Sequence, residues 1–312
     1  NINDAIRYSQ TDLSGTSRFT AMSGAFGALG GDLSAVNLNP AGSTYFNNNQ
    51  AGFTLRNYNV NNKSDYFGTK NSKIRSSVDI NQAGGVFVFE SAQKSDWSKI
   101  AVSINYENTT NFDNSVFSSG INTNSVANYF TSYANTANNG SPIPQEFLTR
   151  LPGESIGSLY EYLGSNFPNS QFGFSGFAAQ QAMIAFYGQS YIIDVVDLNN
   201  PNSQYYSLVP SNTNYYQKNE YSSHGFNGKL TLNGAIKYKE ILSIGLNINS
   251  NFVDYTQSTS FYESNDYNNT SSDYLVKRIR FNNELYTYGT GYSVQLGTII
   301  SPVKQLRRTR PV

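Results

Sequence analysis

Few residues in this sequence have the type and spacing that chemistry requires. His224 is the one histidine and there is no cysteine, so a cluster of histidine and cysteine metal ligands cannot be assembled. No serine lies in a G-x-S-x-G elbow, no GK[ST] phosphate loop is present, and "GALGGD" lacks the G-x-G-x-x-G spacing of a dinucleotide site. The sequence therefore predicts that the protein is not an enzyme and holds no cofactor and no metal.

One loop has a composition that could bind calcium. Residues 266–274 read "DYNNTSSDY" and offer the carboxylate and amide oxygens that calcium prefers. The ligand spacing of an EF-hand is missing, so we interpret this stretch as a solvated loop.

The charge balance excludes one class of partner. Lysine plus arginine number 21, and so do aspartate plus glutamate. A net charge near zero provides no basic face for a phosphate backbone, so we expect no nucleic-acid partner. Only 13% of the residues are charged, against roughly 25% in ordinary soluble domains. Asparagine, serine and threonine supply the polarity instead.

Several segments alternate apolar and polar residues with a period of two, the pattern of a half-buried β-strand. The clearest are "KIAVSINYEN", "LSIGLNINSN" and "GYSVQLGTII", which begin at Lys99, Leu242 and Gly291. "GGVFVFE" and "GFNGKLTLNGAIKY" repeat the pattern more weakly, at 84–90 and 225–238. The sequence therefore predicts an all-β protein.

Two details favour a transmembrane antiparallel β-barrel over a soluble sheet. The polar positions carry small uncharged residues, as expected in a crowded barrel interior. The connections alternate between short and long, with long ones at about 61–82, 110–223 and 256–273. Because outer-membrane barrels have short periplasmic turns and long extracellular loops, this places the N-terminal segment on the periplasmic side. Trp97, in a short connection, is expected to anchor at the membrane interface.

The connection over 110–223 is too long to be passive, and it contains helix-like stretches. We predict an extracellular helical insert there. Its apolar stripes allow two interpretations: a cap whose helices pack on each other, or a groove that receives a hydrophobic ligand or partner. The candidate groove residues are Phe147, Leu148, Leu151, Phe177, Met183, Ile184 and Tyr187.

The N-terminal stretch "AFGALGGDLSAVNLNPAG", residues 25–42, is built from small residues followed by a turn. Asn39-Pro40-Ala41-Gly42 fits a type I turn, with Asn first, Pro second and Gly fourth. Gly24, Gly27 and Gly30 are spaced by three, which predicts a slim helix over "TSRFTAMSGAFGALGGD", capped by Gly30 and Gly31. Such a helix could approach surrounding strands closely.

The longer stretch "GTSRFTAMSGAFGALGGDLSAVNLNPAG" resembles the N-terminus of the FadL/TodX family of outer-membrane channels, in particular its Bacteroidota-type members. The resemblance implies a 14-stranded barrel closed by an N-terminal hatch, with the family's Asn-Pro-Ala motif on Asn39, Pro40 and Ala41. Residues 1–48 are then the hatch and 49–312 an incomplete barrel, because only about six strands can be placed. It also implies the bacterial outer membrane, with a signal peptide already removed.

Three functions are consistent with these patterns. The resemblance implies passive uptake of hydrophobic compounds such as fatty acids or aromatics, with outer-membrane lipid as the surroundings. The alternative is a FadL-fold subunit that does not transport and joins other outer-membrane proteins in type IX secretion or barrel assembly. A soluble secreted β-protein or adhesin is the third.

Overall fold

Long antiparallel strands make up most of the computed structural model, which describes residues 2–91, 95–137, 140–166, 173–187, 192–211, 213–265, 276–303 and 306–311. The strands of the main sheet are β1 (Gln50–Tyr66), β2 (Thr69–Glu90), β3 (Trp97–Asn111), β4 (Asn114–Asn122), β7 (Tyr215–Tyr238), β8 (Leu242–Asn265), β9 (Arg278–Val303) and β10 (Leu306–Pro311). A separate two-stranded sheet joins β5 (Ile193–Val195) to β6 (Tyr205–Ser207). The main sheet runs in the order β1-β2-β3-β7-β8-β9-β10, with β4 also paired to β7, and all these pairs are antiparallel. The all-β prediction is confirmed.

The strands are longer than the apolar alternation predicted. The expected loop at about 61–82 is a continuous hairpin, closed by a two-residue turn at Phe67 and Gly68 with φ of 48° and 82°. Similarly, β8 continues to Asn265 and so covers the first ten residues of the expected 256–273 loop. The prediction failed here because Asn, Ser, Lys and Asp occupy both faces of these extensions, so a strand continues without an apolar stripe.

At the opposite end of the sheet, β7 and β8 are joined by a tight turn. Three residues, 239–241, connect β7 to β8, and two of them, Lys239 and Glu240, have the left-handed φ values of 49° and 56°. Lys237 donates to the Glu240 carboxylate, and this hydrogen bond lowers the pKa of Glu240 against the opposing effect of burial. The turn therefore keeps a charged pair at this end of the sheet.

The two faces of the main sheet have reversed polarity. On β3 the Ile104 residue is 47% exposed, whereas its neighbour Asn105 is 1% exposed. On β8 the same holds for Ile248 at 53% and Asn247 at 0%. Apolar side chains thus point away from the molecule and polar ones point into it, the opposite of a sheet that packs a hydrophobic core in water.

A break divides the main sheet into two parts. The lower part lies towards the β7–β8 turn, and the upper part lies towards the helices between β4 and β5. β3 and β4 follow one line along β7, since Asn111 pairs with Phe226 and Asn114 pairs with Ser223. β2 pairs with β3 only as far as Gln82 opposite Glu107. Above this point the β1–β2 hairpin turns aside and packs on β4 through side-chain hydrogen bonds, such as Ser64 Oγ to the Phe117 carbonyl at 2.6 Å.

The helices are short and fall into two groups. Four elements precede the sheet: α1 (Ile2–Ser9), α2 (Ser17–Ala21), α3 (Ala35–Leu38) and a 3-10 helix (Pro40–Tyr45). Four more lie between β4 and β5: α4 (Ala127–Thr136), α5 (Gln145–Leu148), α6 (Ile156–Asn166) and α7 (Gly176–Tyr187). In the described part of the chain, the helices are all too short or too polar to span a bilayer.

The helix predicted from residue 16 to residue 32 is largely absent. Only α2 forms there, and residues after Ala21 follow turns. Gly24, Gly30 and Gly31 have φ of 73°, 61° and 65°, a conformation that interrupts a helix and that glycine adopts without strain. The glycines were therefore assigned to the wrong element: they shape turns.

The helical insert has an ordinary hydrophobic core, and a buried carboxylate on β8 binds the start of its first helix. Phe130, Leu163 and Met183 are fully buried among its helices. Glu263 on β8 is 1% exposed and accepts hydrogen bonds from Ser125 Oγ, from the Val126 backbone N–H at 2.7 Å and from Gln217 Nε2 at 2.7 Å. Because Val126 precedes α4, this carboxylate fixes the start of the first helix of the insert.

Replacing Glu263 with Ala should loosen the insert while leaving the sheet intact. The change removes the acceptor of three hydrogen bonds, and each unsatisfied buried donor costs about 1–3 kcal/mol. We expect faster tryptic cleavage at Arg150, measured on purified protein with an unchanged β-type circular dichroism spectrum. Glu284→Ala, which removes an exposed carboxylate from β9, is the control. Equal cleavage of both variants contradicts the anchoring role.

Candidate functional site

The N-terminal segment lies on the polar face of the main sheet, where amide side chains of the strands hold its backbone. These amides donate hydrogen bonds to backbone carbonyl oxygens of the N-terminal segment, whose described residues belong to no strand of the sheet. The bonds are Asn81 Nδ2 to Gly15 at 2.6 Å, Asn105 Nδ2 to Leu33 at 3.3 Å, Asn247 Nδ2 to Val36 at 2.8 Å, Gln295 Nε2 to Leu38 at 3.0 Å and Asn233 Nδ2 to Pro40 at 3.0 Å. The amides thus satisfy an irregular backbone that would otherwise be buried unpaired.

The Asn-Pro-Ala-Gly motif is the most tightly held part of this segment. The Gly42 N–H donates to the Asn39 carbonyl at 2.9 Å, so the predicted turn forms, as the start of the 3-10 helix. The Asn39 side chain accepts from the Ala41 N–H at 3.1 Å and donates to the carbonyls of Gly27 and Thr298 at 3.0 and 3.2 Å. One amide thus joins the turn, the preceding loop and β9.

Two strand glycines make room for the motif. Gly245 on β8 and Gly297 on β9 are direct cross-strand partners. A Cβ at Gly245 would lie 2.3 Å from the Pro40 carbonyl carbon, and one at Gly297 would lie 2.2 Å from Asn39 Oδ1. The motif therefore fits only over a notch without side chains. We call the residues from Gly15 to Phe46 that rest on this face the plug segment.

The glycines of the plug segment have different roles. Gly30 combines φ of 61° with a backbone contact, since a Cβ there would lie 2.7 Å from the Gly42 carbonyl oxygen. Gly24 has φ of 73° in the turn after α2. Gly27 contributes its carbonyl to Asn39. The predicted close approach is present, and it arises from turns and paired backbones instead of a slim helix.

A buried charged group that the sequence patterns did not single out joins the plug segment to the main sheet. Glu107 on β3 and Lys229 on β7 are cross-strand partners, with Lys229 Nζ 3.8 Å from Glu107 Oε2. Asn37 Nδ2 donates to the same Glu107 oxygen at 2.5 Å, and Thr231 Oγ1 donates to Asn37 Oδ1 at 2.8 Å. Finding this cluster needed the register of β3 against β7, which the sequence does not display.

A cavity of about 620 Å³ lies beside the plug segment, where β2 separates from β3. Its lining includes Arg56 and Tyr58 of β1, Asn81 of β2 and Asp113 from the break between β3 and β4. Arg56 donates to the Leu13 carbonyl at 3.2 Å and lies 4.8 Å from the Tyr58 ring centre. Because apolar side chains such as Leu13 and Val60 complete the lining, the cavity is amphipathic.

The residues of the predicted groove do not form one groove. Leu148 and Met183 are fully buried in the core of the insert, and Phe147 and Ile184 pack against it. Leu151 and Phe177 are exposed, at 71% and 54%. The Tyr187 side chain lies outside the described residues. The packing of this set favours the self-packed cap over the groove.

The remaining candidates have structural surroundings. His224 is exposed and pairs with the buried Asp113. The "DYNNTSSDY" stretch falls outside the described residues. Within the described ranges, histidine, aspartate and glutamate side chains form no group of three or more that could hold a metal ion. Trp97 is half exposed and packs edge-on against Tyr238, with ring centres 5.0 Å apart.

Comparison with known proteins finds no matching family model, no similar curated protein and no similar solved structure.

Filling the glycine notch should displace the plug segment. Ser43 is fully buried, so Ser43→Cys gives this cysteine-free chain a single thiol that reports on the plug. Gly245→Ala places a methyl group against the Pro40 backbone, and overpacking costs about 1–3 kcal/mol. We expect maleimide to label the introduced thiol about fivefold faster or more. Gly234→Ala is the matched control, because no atom lies within 4 Å of its Cβ. Equal labelling in the two variants contradicts the notch.

Gly30 can be tested in a similar way. Gly30→Ala adds both left-handed strain, about 1–2 kcal/mol, and a contact with Gly42. Gly68→Ala, at φ of 82° with open space around it, adds the strain alone. With the same Ser43→Cys reporter, we expect Gly30→Ala to lower the urea midpoint for exposure of the thiol further than Gly68→Ala does. A larger effect at Gly68 is the outcome that rejects close packing at Gly30.

Proposed function

We propose that this chain forms the plug and part of the wall of an outer-membrane β-barrel of the FadL/TodX type, a channel for passive uptake of hydrophobic compounds such as fatty acids or aromatics. The observation that carries the proposal is the reversed polarity of the main sheet. An apolar outer face and a polar, filled inner face are the arrangement that a barrel in lipid requires. The resemblance of the N-terminal stretch supplies the family.

The apolar outer face has the height that a membrane needs. On β8 the outward positions from Leu242 to Phe252 include no charged residue, and the next outward position is Asp254. This span matches the roughly 9–11 residues of a transmembrane strand. The face also continues sideways, since Ile104, Leu232, Ile248 and Val294 lie in one row across four strands.

Aromatic side chains mark both edges of this outer face. At the lower edge Trp97 packs on Tyr238. At the upper edge Phe252 packs on Tyr106 and Phe226, with ring centres 6.2 and 6.0 Å apart. From Phe226 to Tyr238 the strand covers about 40 Å at roughly 3.3 Å per residue, or about 30 Å in height at a barrel tilt of ~40°. Aromatic girdles at this separation flank the apolar band of outer-membrane barrels.

The amphipathic cavity suggests the route that a hydrophobic compound takes through the protein. A compound that enters from the side of the insert reaches the cavity beside Arg56 and Tyr58. The plug segment blocks the way straight down, because its backbone carbonyls accept hydrogen bonds from side chains of β3, β7, β8 and β9. The separation of β2 from β3 lies next to the same cavity and provides the way out.

A second function is favoured by the surface of the insert. Leu151, Phe177 and Leu198 are exposed, the last at 74%. Exposed apolar side chains contribute to a surface that binds another protein when they form one contiguous patch. They support the alternative of a FadL-fold subunit that docks onto a larger outer-membrane protein.

The membrane location can be tested with one charge. Ile248→Arg places a cation in the middle of the outer face, at a cost of about 2–4 kcal/mol in a bilayer. We expect less of the Ile248→Arg variant than of the unmodified protein in the outer-membrane fraction, from which only detergent should extract it. Ser222→Arg, exposed on β7 above the aromatic edge, is the control and should insert normally. Release of the unmodified protein without detergent rejects the proposed location.

The two functions separate in a transport measurement. A channel in proteoliposomes should pass a fluorescent fatty acid, faster in Gly245→Ala because the plug segment is displaced. A subunit should instead show no passage and should purify in a fixed ratio with a larger outer-membrane protein. Passage that Gly245→Ala leaves unchanged contradicts the proposed role of the plug.

A further inference from the structure

We propose that a cationic and aromatic surface on the outer face of β7, β8 and β9, above the apolar band, binds the phosphorylated saccharide of a glycolipid in the outer leaflet. The inference rests on the proposed membrane location. The residues of this surface, here called the upper patch, are Tyr216, Lys218, Glu220, Tyr262, Arg278 and Arg280.

Strand register brings these residues together. Lys218 pairs with Tyr262 across β7 and β8, and Tyr262 pairs with Arg280 across β8 and β9. The Arg280 guanidinium lies 5.5 Å from the centre of the Tyr262 ring. One row of the sheet thus places a cation on either side of an aromatic ring. A surface depression of about 230 Å³ is lined by Tyr216, Lys218, Glu220, Ser260, Tyr262 and Arg280.

The upper patch is positive although the chain as a whole is neutral. Lys218, Arg278 and Arg280 face Glu220, which pairs with Lys218 at 2.9 Å. On the same face of β9 the next acid is Glu284, below Arg280. Within the described residues, the Arg278 and Arg280 guanidinium groups form no ion pair with a carboxylate and remain for an anionic ligand. Guanidinium groups bind phosphate through paired N–H donors, and tyrosines offer an apolar ring with a hydroxyl to a sugar.

The height of the upper patch above the apolar band indicates which kind of lipid can reach it. Lys218 lies about 26 Å along β7 above Phe226 at roughly 3.3 Å per residue, or about 20 Å in height at a tilt of ~40°. The headgroup layer of a bilayer adds only about 5–8 Å to each side of the hydrocarbon core. Phospholipid phosphates therefore lie below the patch, whereas the phosphorylated sugars of a glycolipid extend to its level.

Lipid retention by the purified protein tests the proposal. The intact protein in detergent is mixed with a phosphorylated outer-leaflet glycolipid, with the same glycolipid after enzymatic dephosphorylation, or with phosphatidylglycerol, and binding is measured by native mass spectrometry. We expect Arg278→Ala/Arg280→Ala to weaken binding of the phosphorylated glycolipid about tenfold or more, since each charge-assisted bond is a substantial part of the affinity. The other two lipids should bind equally to both proteins.

Two control variants distinguish loss of the upper patch from misfolding and from a general loss of positive charge. Lys63→Ala/Arg75→Ala removes the same charge from the exposed β1–β2 hairpin and should leave binding unchanged. Arg280→Gln keeps a polar side chain and should weaken binding by a smaller factor. Equal loss in the hairpin variant, or equal loss of phosphatidylglycerol, overturns the patch while leaving the membrane location standing. Failure of the unmodified protein to insert in membranes overturns both proposals.

Discussion

The hydrogen bonds from inward-facing amides to the carbonyls of the plug segment are the interaction on which this structure depends. A backbone that lies buried across the face of a sheet without forming a strand or helix must still pair its polar groups. Here Asn105, Asn233 and Asn247, from three different strands, each provide the missing donor. An aspartate or leucine at these positions could not donate, so asparagine at these three positions has a structural reason.

The sequence predicted the parts of the fold in which one face is apolar. The alternation from Lys99, Leu242 and Gly291 placed β3, β8 and β9. An apolar residue at every second position indicates a strand whether the apolar face contacts a protein core or lipid. It did not predict the upper strands, where both faces are polar. It also misassigned Gly24 and Gly30, because spacing by three is a helical pattern only if the backbone has helical φ, and these residues have positive φ.

The Asn-Pro-Ala-Gly motif of the candidate site could be predicted from the sequence, but the residues that surround it in the fold could not. Asn39 and Pro40 were identified from turn chemistry alone. The partners Gly245 and Gly297 lie on distant strands, and Glu107, Lys229 and Glu263 acquire their roles from register and from contacts with distant segments. Composition and periodicity contain local information, whereas each of these contacts depends on which strand lies beside which.

The notch at Gly245 and Gly297 has a consequence for the order in which the chain folds. The notch exists only after β8 has paired with β9, because each glycine supplies one half of it. The Asn39 amide, which then bonds to the Thr298 carbonyl, leaves the ribosome long before either strand is made. Contacts of such long sequence separation form slowly. The plug segment therefore reaches its final position only after β8 and β9 have paired, and until then its carbonyl oxygens need other donors, such as water.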